Sequence, residues 1–392
     1  MSNNFNFELI SKVISGPNSI KLIYKFIKEK RFKKIGLVID KNLYDNSNHI
    51  KFFLVELKKS KKLKKILFFN PVQEPTYTHL DYLVNKLKKE KNNNFDCLVA
   101  IGGGSTIDLA KGISTLLKNK GNALKFRGFP KNLKSSVPLI AVPSTTGTGS
   151  ELAYNAVFTD LKSNTKLGIN TKNNYPILSV LDPKIITNSP QSVILNSSLG
   201  ALIRSIDSRF NLKSTKISKI FSENSFKLLF NNLPKVLKDK NNLKYLSNMQ
   251  WGAYLSIAAL LNSSSGPAGT FSYYLSSNYN IPQGLGYAIA GTLIFQRNHE
   301  KGYYEYYKLF NQLEKKSLNK KISIKQKSAF IISSLLNLIK SNKINLKKKG
   351  VYIDKKNIFN YTKKTFSNKK SNNPIKLNNK DLKIIINRML KI

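Results

Sequence analysis

The first half of the chain alternates short runs of aliphatic and β-branched residues with stretches of helical spacing. Between two of these runs, for example, Leu80–Leu87 repeats apolar residues three and four positions apart. Such alternation is typical of a parallel sheet whose two faces are covered by helices. The first half is therefore predicted to be an α/β domain. Its predicted strands are Ile35–Asp40, Ile66–Phe69, Cys97–Ile101 and Pro138–Pro143.

The pattern changes from about Asp182 onwards. Apolar residues then recur at three- and four-residue spacing and few runs have strand character, so this half is predicted to be helical. The clearest helical segments are Ile217–Leu233, Trp251–Leu261 and Ala329–Ile339. We predict an α/β domain over residues 1–182 and an all-α domain over residues 183–392.

Length and composition fit a protein with two folded domains. The chain has 392 residues, of which 41% are hydrophobic, and this is enough for two full-sized cores. Cys97 is its single cysteine, which excludes a disulfide framework and fits a reducing compartment. The N-terminal residues do not have the pattern of a signal peptide, and Trp251–Leu261 is too short to span a bilayer. We therefore expect a cytoplasmic protein without a membrane partner.

The charge balance is unusual, with 66 Lys and Arg residues against 21 Asp and Glu residues and a net charge of +45. Such an excess is found in proteins that bind nucleic acids or other polyanions. Here the excess is mostly lysine scattered through every segment, and clusters such as Lys58–Lys65 are typical of solvated surfaces. We interpret the charge as a compositional feature and expect no specific nucleic-acid partner.

The sharpest local motif is a glycine-rich loop that directly follows the predicted strand Cys97–Ile101. Its sequence, GGGSTIDLAK, occupies Gly102–Lys111 and leads into a helical pattern. Glycines let the backbone approach a pyrophosphate closely, and a helix N-terminus supplies N–H donors and a positive dipole end. Taken alone, a glycine triplet is as typical of a tight turn as of a phosphate site.

A second loop, Thr145–Glu151, follows the next predicted strand with the sequence TTGTGSE. The pair of loops resembles the signature of the iron-containing alcohol dehydrogenase family, which is part of the dehydroquinate synthase-like superfamily. The resemblance implies a Rossmann-like N-terminal dinucleotide-binding domain and a C-terminal helical domain, with the active site between them. It also implies NAD or NADP as the cofactor, and we expect a homodimer.

The resemblance extends along nearly the whole chain. Further segments that are similar to family motifs are Gly16–Ile20, Glu74–Thr76, Lys166–Ile169, Leu181–Pro183 and Asn372–Pro374. Within the family, Leu124–Gly128 and Lys166–Asn170 weakly resemble the branch that oxidises the 8-hydroxyl of the sugar acid Kdo.

The resemblance assigns cofactor binding to the two loops and to the end of the second strand. Asp40 lies where the family places an acid on the adenosine ribose, and this acid favours NAD because a carboxylate repels a 2′-phosphate. Lys41, next to it, would weaken this preference. The predicted cofactor-binding residues are Asp40, Gly103, Gly104, Ser105, Asp108, Thr145, Thr146 and Thr148.

The resemblance fails at the metal site. The family holds a divalent metal with one Asp and three His, and the matching positions here are Gly200, Arg204, Gly269 and Gln283. A shift of four residues after Gln283 would offer Tyr287 instead, which is again not a histidine. Arg donates no lone pair and stays protonated, whereas such ions prefer imidazole and carboxylate ligands. The three histidines, His49, His79 and His299, fall on none of these positions. We expect no divalent metal.

Three residues are predicted to act on the substrate in place of the metal. Arg204 would bind an anionic group, Lys166 (the cleft lysine of the family) would add a second positive charge, and Tyr273 would donate a proton. Gly200 and Gly269 would leave space for the substrate. Each assignment has a structural alternative: Arg204 as a helix-surface charge paired with Asp207, and Tyr273 as a core aromatic.

The sequence therefore predicts an oxidoreductase of the iron-containing alcohol dehydrogenase type. It would transfer hydride, without a metal, between NAD(P) and a small anionic hydroxy or carbonyl compound such as a sugar acid. The first alternative is a non-catalytic protein that binds NAD or regulates a partner. The second is a family member with non-redox chemistry and bound NAD.

Overall fold

The computed structural model describes residues 7–70, 74–90, 94–313, 321–342, 353–367 and 371–392. These residues form two compact units. The sheet unit comprises Leu9–Ile194 and Val236–Trp251, and the helical unit comprises Leu195–Lys235 and Gly252–Ile392 with a short N-terminal segment that ends at Glu8. None of the described helices is long and apolar enough to cross a membrane.

The sheet unit is built on a six-stranded parallel sheet. Its strands are β1 (Lys12–Ser15), β2 (Ile35–Asp40), β3 (Leu63–Phe69), β4 (Cys97–Gly102), β5 (Leu139–Pro143) and β8 (Leu178–Leu181). They lie in the order β1-β8-β5-β4-β2-β3. The central strands β4 and β5 are fully buried and β2 is buried except at Asp40, because β-branched and aliphatic residues project from both of their faces.

Helices cover both faces of this sheet. On one face, Val38, Leu98 and Ala100 pack in a core with Leu80 and Ile113, which lie on the helices that precede and follow β4. The neighbouring strand residues point to a second core on the other face, as the period of two requires. The helices of this unit are α1 (Leu22–Glu29), α2 (Lys41–Asn46), α3 (Asn48–Lys59), α4 (Tyr77–Lys89), α5 (Gly104–Lys118) and α6 (Pro183–Ile186).

A separate antiparallel hairpin follows the second loop. Its strands are β6 (Asn155–Asp160) and β7 (Thr165–Asn170), and Thr159 pairs with Lys166 across it. Tyr77 on α4 donates a hydrogen bond to the carbonyl of Leu167 at 2.5 Å. The hairpin therefore holds Lys166 in a fixed position within the sheet unit.

The second half of the chain is helical. Its helices are α7 (Gln191–Phe210), α8 (Lys216–Lys238), α9 (Leu243–Leu261), α10 (Ala268–Tyr279), α11 (Gln283–Glu300), α12 (Ile324–Ser341), α13 (Lys355–Ser367) and α14 (Asn379–Met389). α11 packs against α10, α12 and α14, and it buries most of its residues between Leu285 and Phe295. Capping boxes start α12 at Ser323 and α14 at Asn378.

The predicted fold class is confirmed, since a parallel α/β unit is combined with a helical unit. Each predicted strand and helical segment lies within or overlaps an observed one. The predicted boundary at residues 182 and 183 falls at the start of α6. The first segment of the compact sheet unit extends further, to Ile194.

Candidate functional site

The glycine-rich loop joins the end of β4 to α5, and its glycines are required by close contacts. A Cβ on Gly102 would lie 2.5 Å from Thr106 Oγ1, and a Cβ on Gly104 would lie 2.9 Å from Thr148 Cβ. Larger residues would therefore force this loop away from α5 and from the second loop. The start of the second loop is attached here too, because Ser144, the residue before it, donates a hydrogen bond from its N–H to Gly102 O at 2.9 Å.

The N-terminus of α5 fits a phosphate group. Gly103 is its N-cap and provides no side chain to cap the first N–H groups, which remain available as donors with the positive end of the helix dipole. A Cβ on Gly103 would meet only Thr145 Cγ2, at 3.4 Å, within 4 Å. The Oγ1 atoms of Thr106 and Thr145 are buried and have no hydrogen-bond partner among the described residues. The loop thus combines accessible backbone N–H groups with two hydroxyl groups that have no described partner, and a pyrophosphate site needs such donors.

A buried lysine fixes the second loop to α5. Lys111 Nζ donates to Ser150 Oγ at 3.0 Å, to Ala153 O at 2.7 Å and to Asn155 O at 2.9 Å. It also lies 3.8 Å from Asp108 Oδ1. Burial lowers the pKa of this ammonium group from 10.5 to about 8. This role of Lys111 in holding the second loop was not predicted from the sequence, although Lys111 is the last residue of the glycine-rich motif.

Asp108, predicted to bind the cofactor, uses both carboxylate oxygens within the fold. Oδ1 accepts a hydrogen bond from Ser150 Oγ, and Oδ2 accepts one from Val157 N at 2.9 Å. Burial raises the pKa of the carboxyl group, and the nearby charge of Lys111 opposes this effect. In this structure Asp108 therefore holds the second loop and the β6–β7 hairpin.

The other predicted cofactor residues lie in three places. Gly103, Gly104 and Ser105 form the start of α5. Thr146 donates a hydrogen bond to Ile194 O at 3.4 Å, and Thr148 packs against Gly104.

Asp40 lies at the carboxyl end of β2, where its Oδ1 caps α2 by accepting from Asn42 N and Leu43 N. Partial burial raises the pKa of this carboxyl group. Lys41 forms an ion pair with Asp45 at 2.6 Å. The cation that was expected to weaken the preference for NAD is therefore bound to another carboxylate.

Lys166 is buried in the hairpin and forms an ion pair with Glu74 Oε1 at 3.2 Å. Burial lowers the pKa of its ammonium group, and the charge of Glu74 opposes this effect. The second positive charge predicted for the substrate is thus partly neutralised.

In the helical unit, the three- and four-residue spacing of the predicted site residues places them on the same face of each helix. Arg204 and Asp207 follow Gly200 on one face of α7, Tyr273 lies one turn after Gly269 on α10, and Tyr287 lies one turn after Gln283 on α11. Arg204 Nη1 donates a hydrogen bond to Ser256 Oγ at 3.1 Å.

The expectation that Gly200 leaves space for a substrate is wrong. A Cβ on Gly200 would lie 2.7 Å from Gly284 Cα, and a Cβ on Gly284 would lie 2.3 Å from Asn196 O. The backbones of α7 and α11 are therefore in direct contact, and the space of a side chain is filled by the main chain. Gly269 differs, since a Cβ there would meet only Tyr287 Cε2, at 3.6 Å.

A hydrogen-bonded carboxylate lies among these residues, and the sequence suggested it only as a partner of Arg204. Asp207 Oδ2 accepts hydrogen bonds from Tyr287 Oη at 2.7 Å and from Gly266 N at 2.7 Å. Burial raises the pKa of the Asp207 carboxyl group from 3.8 to about 6, although Tyr287, Gly266 and the charge of Arg204 all act to lower it. The buried Asp207 carboxylate thus binds a proton at a higher pH than an ordinary aspartate does.

Family models match both halves of the chain. The model described as iron-containing alcohol dehydrogenase matches residues 11–183, and the C-terminal model of the Fe-containing alcohol dehydrogenase family matches residues 194–390. The chain belongs to the iron-containing alcohol dehydrogenase family. The resemblance seen in the two loops is therefore confirmed.

Relatives within the family are distant. Alcohol dehydrogenase 4 of Schizosaccharomyces pombe is 28% identical over 288 residues, which cover 72% of this chain and 66% of the relative. NAD-dependent methanol dehydrogenase of Bacillus methanolicus is 25% identical over 71% of this chain and 72% of the relative. A crystal structure of 1,3-propanediol oxidoreductase has the same fold, with a TM-score of 0.87, 21% identity and coverage of 98% of this chain and 100% of that one.

At the four positions that the resemblance assigns to metal ligands, this chain has no imidazole and no carboxylate, so these residues do not fit a divalent ion. Gly200 is closed by the backbone of α11, Gly269 has no side chain, Arg204 carries a positive charge, and Gln283 offers only an amide. Within the described residues, no group of three or more His, Cys, Asp or Glu side chains is placed to hold a metal ion.

Proposed function

We propose that this protein is a metal-independent oxidoreductase that transfers hydride between NAD(H) and a small anionic hydroxy or carbonyl compound such as a sugar acid. The observation that carries the proposal is the contrast between an open dinucleotide loop and a metal site that holds Arg204 and is closed at Gly200. Cofactor binding has been kept while the means of polarising the substrate has changed.

The cofactor would be held by the two loops of the sheet unit. Gly103, Gly104 and Ser105 offer backbone donors at the start of α5, and the unused hydroxyl of Thr145 lies beside them. The names of relatives support this assignment, since one is an NAD-dependent methanol dehydrogenase and the sulfoacetaldehyde reductase of Bifidobacterium kashiwanohense was solved with NAD+. A bound nicotinamide would supply the hydride chemistry.

Arg204 would bind the acidic group of the substrate. A guanidinium group is always protonated and pairs with a carboxylate or phosphate through two parallel hydrogen bonds. Related proteins include a sulfoacetaldehyde reductase and a 4-hydroxybutyrate dehydrogenase, whose names denote substrates that carry a sulfonate or a carboxylate. Lys166, although paired with Glu74, would add positive potential, and Tyr273 is the proton donor predicted from the sequence.

A thermal-shift screen tests the proposal. The NAD-loaded protein is mixed with sugar acids, sugar phosphates and neutral polyols, and NADH formation is followed for each compound that raises the melting temperature. We expect acids to stabilise the protein and to be oxidised. Arg204→Ala should weaken acid binding by about tenfold to a hundredfold, because a charge-assisted pair contributes roughly 1.5–3 kcal/mol, and NAD affinity should not change.

The control is Arg209→Ala, which removes an arginine of the same helix that pairs with Glu223 at 2.6 Å. Stabilisation by neutral polyols alone, or an unchanged acid affinity in Arg204→Ala, would contradict the proposal.

A non-catalytic NAD-binding protein is the second candidate. The closure of Gly200 and the pairing of Lys166 with Glu74 favour it, since both remove means of activating a substrate. It predicts NAD binding without NADH formation from any acid of the screen.

A further inference from the structure

The pair formed by Asp207 and Tyr287 joins the interior of the helical unit to a less buried group. The Asp207 carboxyl group is buried, with 6% exposure, whereas Tyr287 is only partly buried. The phenol hydroxyl donates to Asp207 Oδ2 at 2.7 Å. A proton that enters at the phenol therefore has a direct hydrogen-bonded path to a buried carboxylate.

Tyr287 lies close to residues at the positions that the resemblance assigns to metal ligands. Its Cε2 atom lies 3.6 Å from the point where a Cβ on Gly269 would be. Tyr287 follows Gln283 by one turn of α11, and its acceptor Asp207 follows Arg204 on α7. Gly269, Gln283 and Arg204 are three of the four positions at which the family binds its metal.

We propose that Tyr287 exchanges the proton with the reacting oxygen of the substrate and that Asp207 accepts the phenolic proton of Tyr287. This inference depends on the proposed function, which supplies the hydride acceptor. The pair would take over the handling of charge on the substrate oxygen that a metal ion otherwise performs. Tyr287 would be a catalytic residue, and Asp207 would act through it.

The proton and electron balance of alcohol oxidation is complete with these two residues. The O–H bond of the substrate breaks and its proton binds to Tyr287 Oη, while the original phenolic proton moves to Asp207 Oδ2. The C–H bond breaks, and its electron pair leaves as hydride to the nicotinamide dinucleotide. The substrate becomes a carbonyl compound and Asp207 ends neutral. Reduction follows the same path in reverse.

The electrostatic surroundings favour a linked transfer over ionisation of the phenol alone. Burial and the charge of Asp207 raise the pKa of Tyr287 well above 10, and Arg204 only partly opposes them. A lone phenolate is therefore unfavourable, whereas Asp207 has a pKa near that of an effective base. The charged and titratable groups that face the pair are Arg204 on α7, Tyr273 on α10 and Tyr306 in the 3₁₀ helix Glu305–Gln312.

A purely structural role is the competing explanation. Gly266 N also donates to Asp207, and a Cβ on Gly266 would lie 2.3 Å from Asp207 Oδ1. The carboxylate thus anchors the segment before α10 in any case. An informative experiment must separate proton transfer from this anchoring.

The test compares Tyr287→Phe with Tyr279→Phe in the full-length, NAD-loaded protein, using an acid that the wild type oxidises. Tyr287→Phe should lower kcat by roughly a hundredfold to ten-thousandfold, the usual contribution of a general acid or base. The dissociation constant of the acid should stay within about threefold, because only the transition state loses an interaction. Tyr279 is the last residue of α10, and its hydroxyl accepts a hydrogen bond from Asp354 N at 3.0 Å. Tyr279→Phe should keep kcat within about threefold, because this phenol has no part in the proposed proton transfer.

Asp207→Asn provides a second variant with the same shape. Its amide oxygen can accept the bonds from Tyr287 and Gly266, so the anchoring is kept, but it takes up no proton at these pH values. In the wild type, kcat for oxidation should fall as the pH drops below about 6, and in Asp207→Asn kcat should be low at every pH. Wild-type kcat in Tyr287→Phe or in Asp207→Asn would overturn the proposal and leave the proposed function intact.

A measurement without turnover completes the test. Infrared spectra of the wild type should show the C=O band of a protonated carboxyl group that titrates near pH 6 and is missing from Asp207→Asn. A band that titrates near pH 4 would overturn the proposal, because such a carboxylate is a poor proton acceptor. If the wild type oxidises no acid at all, the proposed function fails first and the proposal fails with it.

Discussion

The sheet unit and the helical unit each bury a charged side chain near their candidate site residues, but they hold it differently. In the sheet unit, Lys111 donates three hydrogen bonds to the second loop and its surroundings, and it lies beside Asp108. In the helical unit, Gly266 N and Tyr287 Oη both donate to Asp207 Oδ2, and burial raises the pKa of this carboxyl group to about 6. The first arrangement holds a loop in place, whereas the second keeps a group that can gain and lose a proton.

The same difference separates the parts of the two units that resemble family motifs from the parts that do not. In the sheet unit, the two loops and the buried lysine match the motifs, and Lys111 joins them. In the helical unit, the positions that the resemblance assigns to metal ligands hold Gly200, Arg204, Gly269 and Gln283, and a carboxylate with a raised pKa lies beside them. The proposed function therefore depends on the family pattern for the cofactor and on residues outside that pattern for the substrate.

The largest effect is expected from Lys111→Met. This change leaves Asp108 and two backbone carbonyls buried without their cation, so the free energy of unfolding should fall by about 3–5 kcal/mol. NAD affinity should fall as well, since the second loop loses its attachment to α5. Chemical unfolding and calorimetric titration would measure both effects.

Lys118→Met is the matched control, because Lys118 is exposed on the last turn of the same helix. It should change the stability by less than about 0.5 kcal/mol. Equal effects of the two substitutions would show that the buried ammonium does not hold the loop.

The next effect is a pH dependence of stability that comes from Asp207. Its folded pKa of about 6 lies above the unfolded value of 3.8, so the folded protein binds a proton that the unfolded chain does not. Stability from this group is fully present below pH 4 and is lost as the pH rises through about 6, an effect on the order of 3 kcal/mol. Between pH 4 and 7 the wild type should therefore lose stability relative to Asp207→Asn. A constant difference between the two proteins across this range would show that Asp207 titrates normally.

A smaller effect is the difference in stability between alanine substitutions at Gly200 and at Gly269. Gly200→Ala places a Cβ 2.7 Å from Gly284 Cα and should destabilise the helical unit by about 1–3 kcal/mol. Gly269→Ala meets only Tyr287, at 3.6 Å, and should be neutral or stabilising by up to about 1 kcal/mol. Melting temperatures of the pair would measure this contrast. Similar values would mean that α7 and α11 separate easily.

The smallest effect concerns the choice between NAD and NADP. Asp40→Asn keeps an oxygen that caps α2 but removes the charge that would repel a 2′-phosphate. The affinity ratio of NAD to NADP should fall by about tenfold, equivalent to roughly 1.4 kcal/mol. Asp45→Asn, which removes the exposed partner of Lys41, is the control. An unchanged ratio in Asp40→Asn would remove this carboxylate from the cofactor site.

The sheet could be predicted from the sequence because its buried strands are short runs of Val, Ile and Leu. Ile35–Asp40 and Cys97–Gly102 coincide with their predicted runs almost residue for residue. The hairpin strands Asn155–Asp160 and Thr165–Asn170 were not predicted, since polar residues such as Asn, Thr and Asp make up half of them. Their pairing depends on contacts with α4 and α5, which no local pattern reveals.

The substrate face was harder to predict because its contacts join distant segments. Tyr287 and Asp207 are 80 residues apart. From the sequence, Asp207 was predicted only as a possible partner of Arg204 and Tyr287 only as an alternative match for Gln283, and no local pattern shows that the two side chains meet. The absence of a side chain at Gly200 suggested an open space, but the backbone of α11 fills it. The sequence shows which residues occupy the positions that the resemblance assigns to metal ligands. Only the packing of the helices shows which atoms surround them.

The contact between Gly200 and Gly284 limits how this protein can be redesigned. An aspartate at position 200 would collide with the main chain of α11, because even its Cβ would lie 2.7 Å from Gly284 Cα. A single substitution therefore cannot place a carboxylate ligand at this point of α7. An engineered metal site would need α11 to be moved first, by changes to the residues that pack it against α10, α12 and α14.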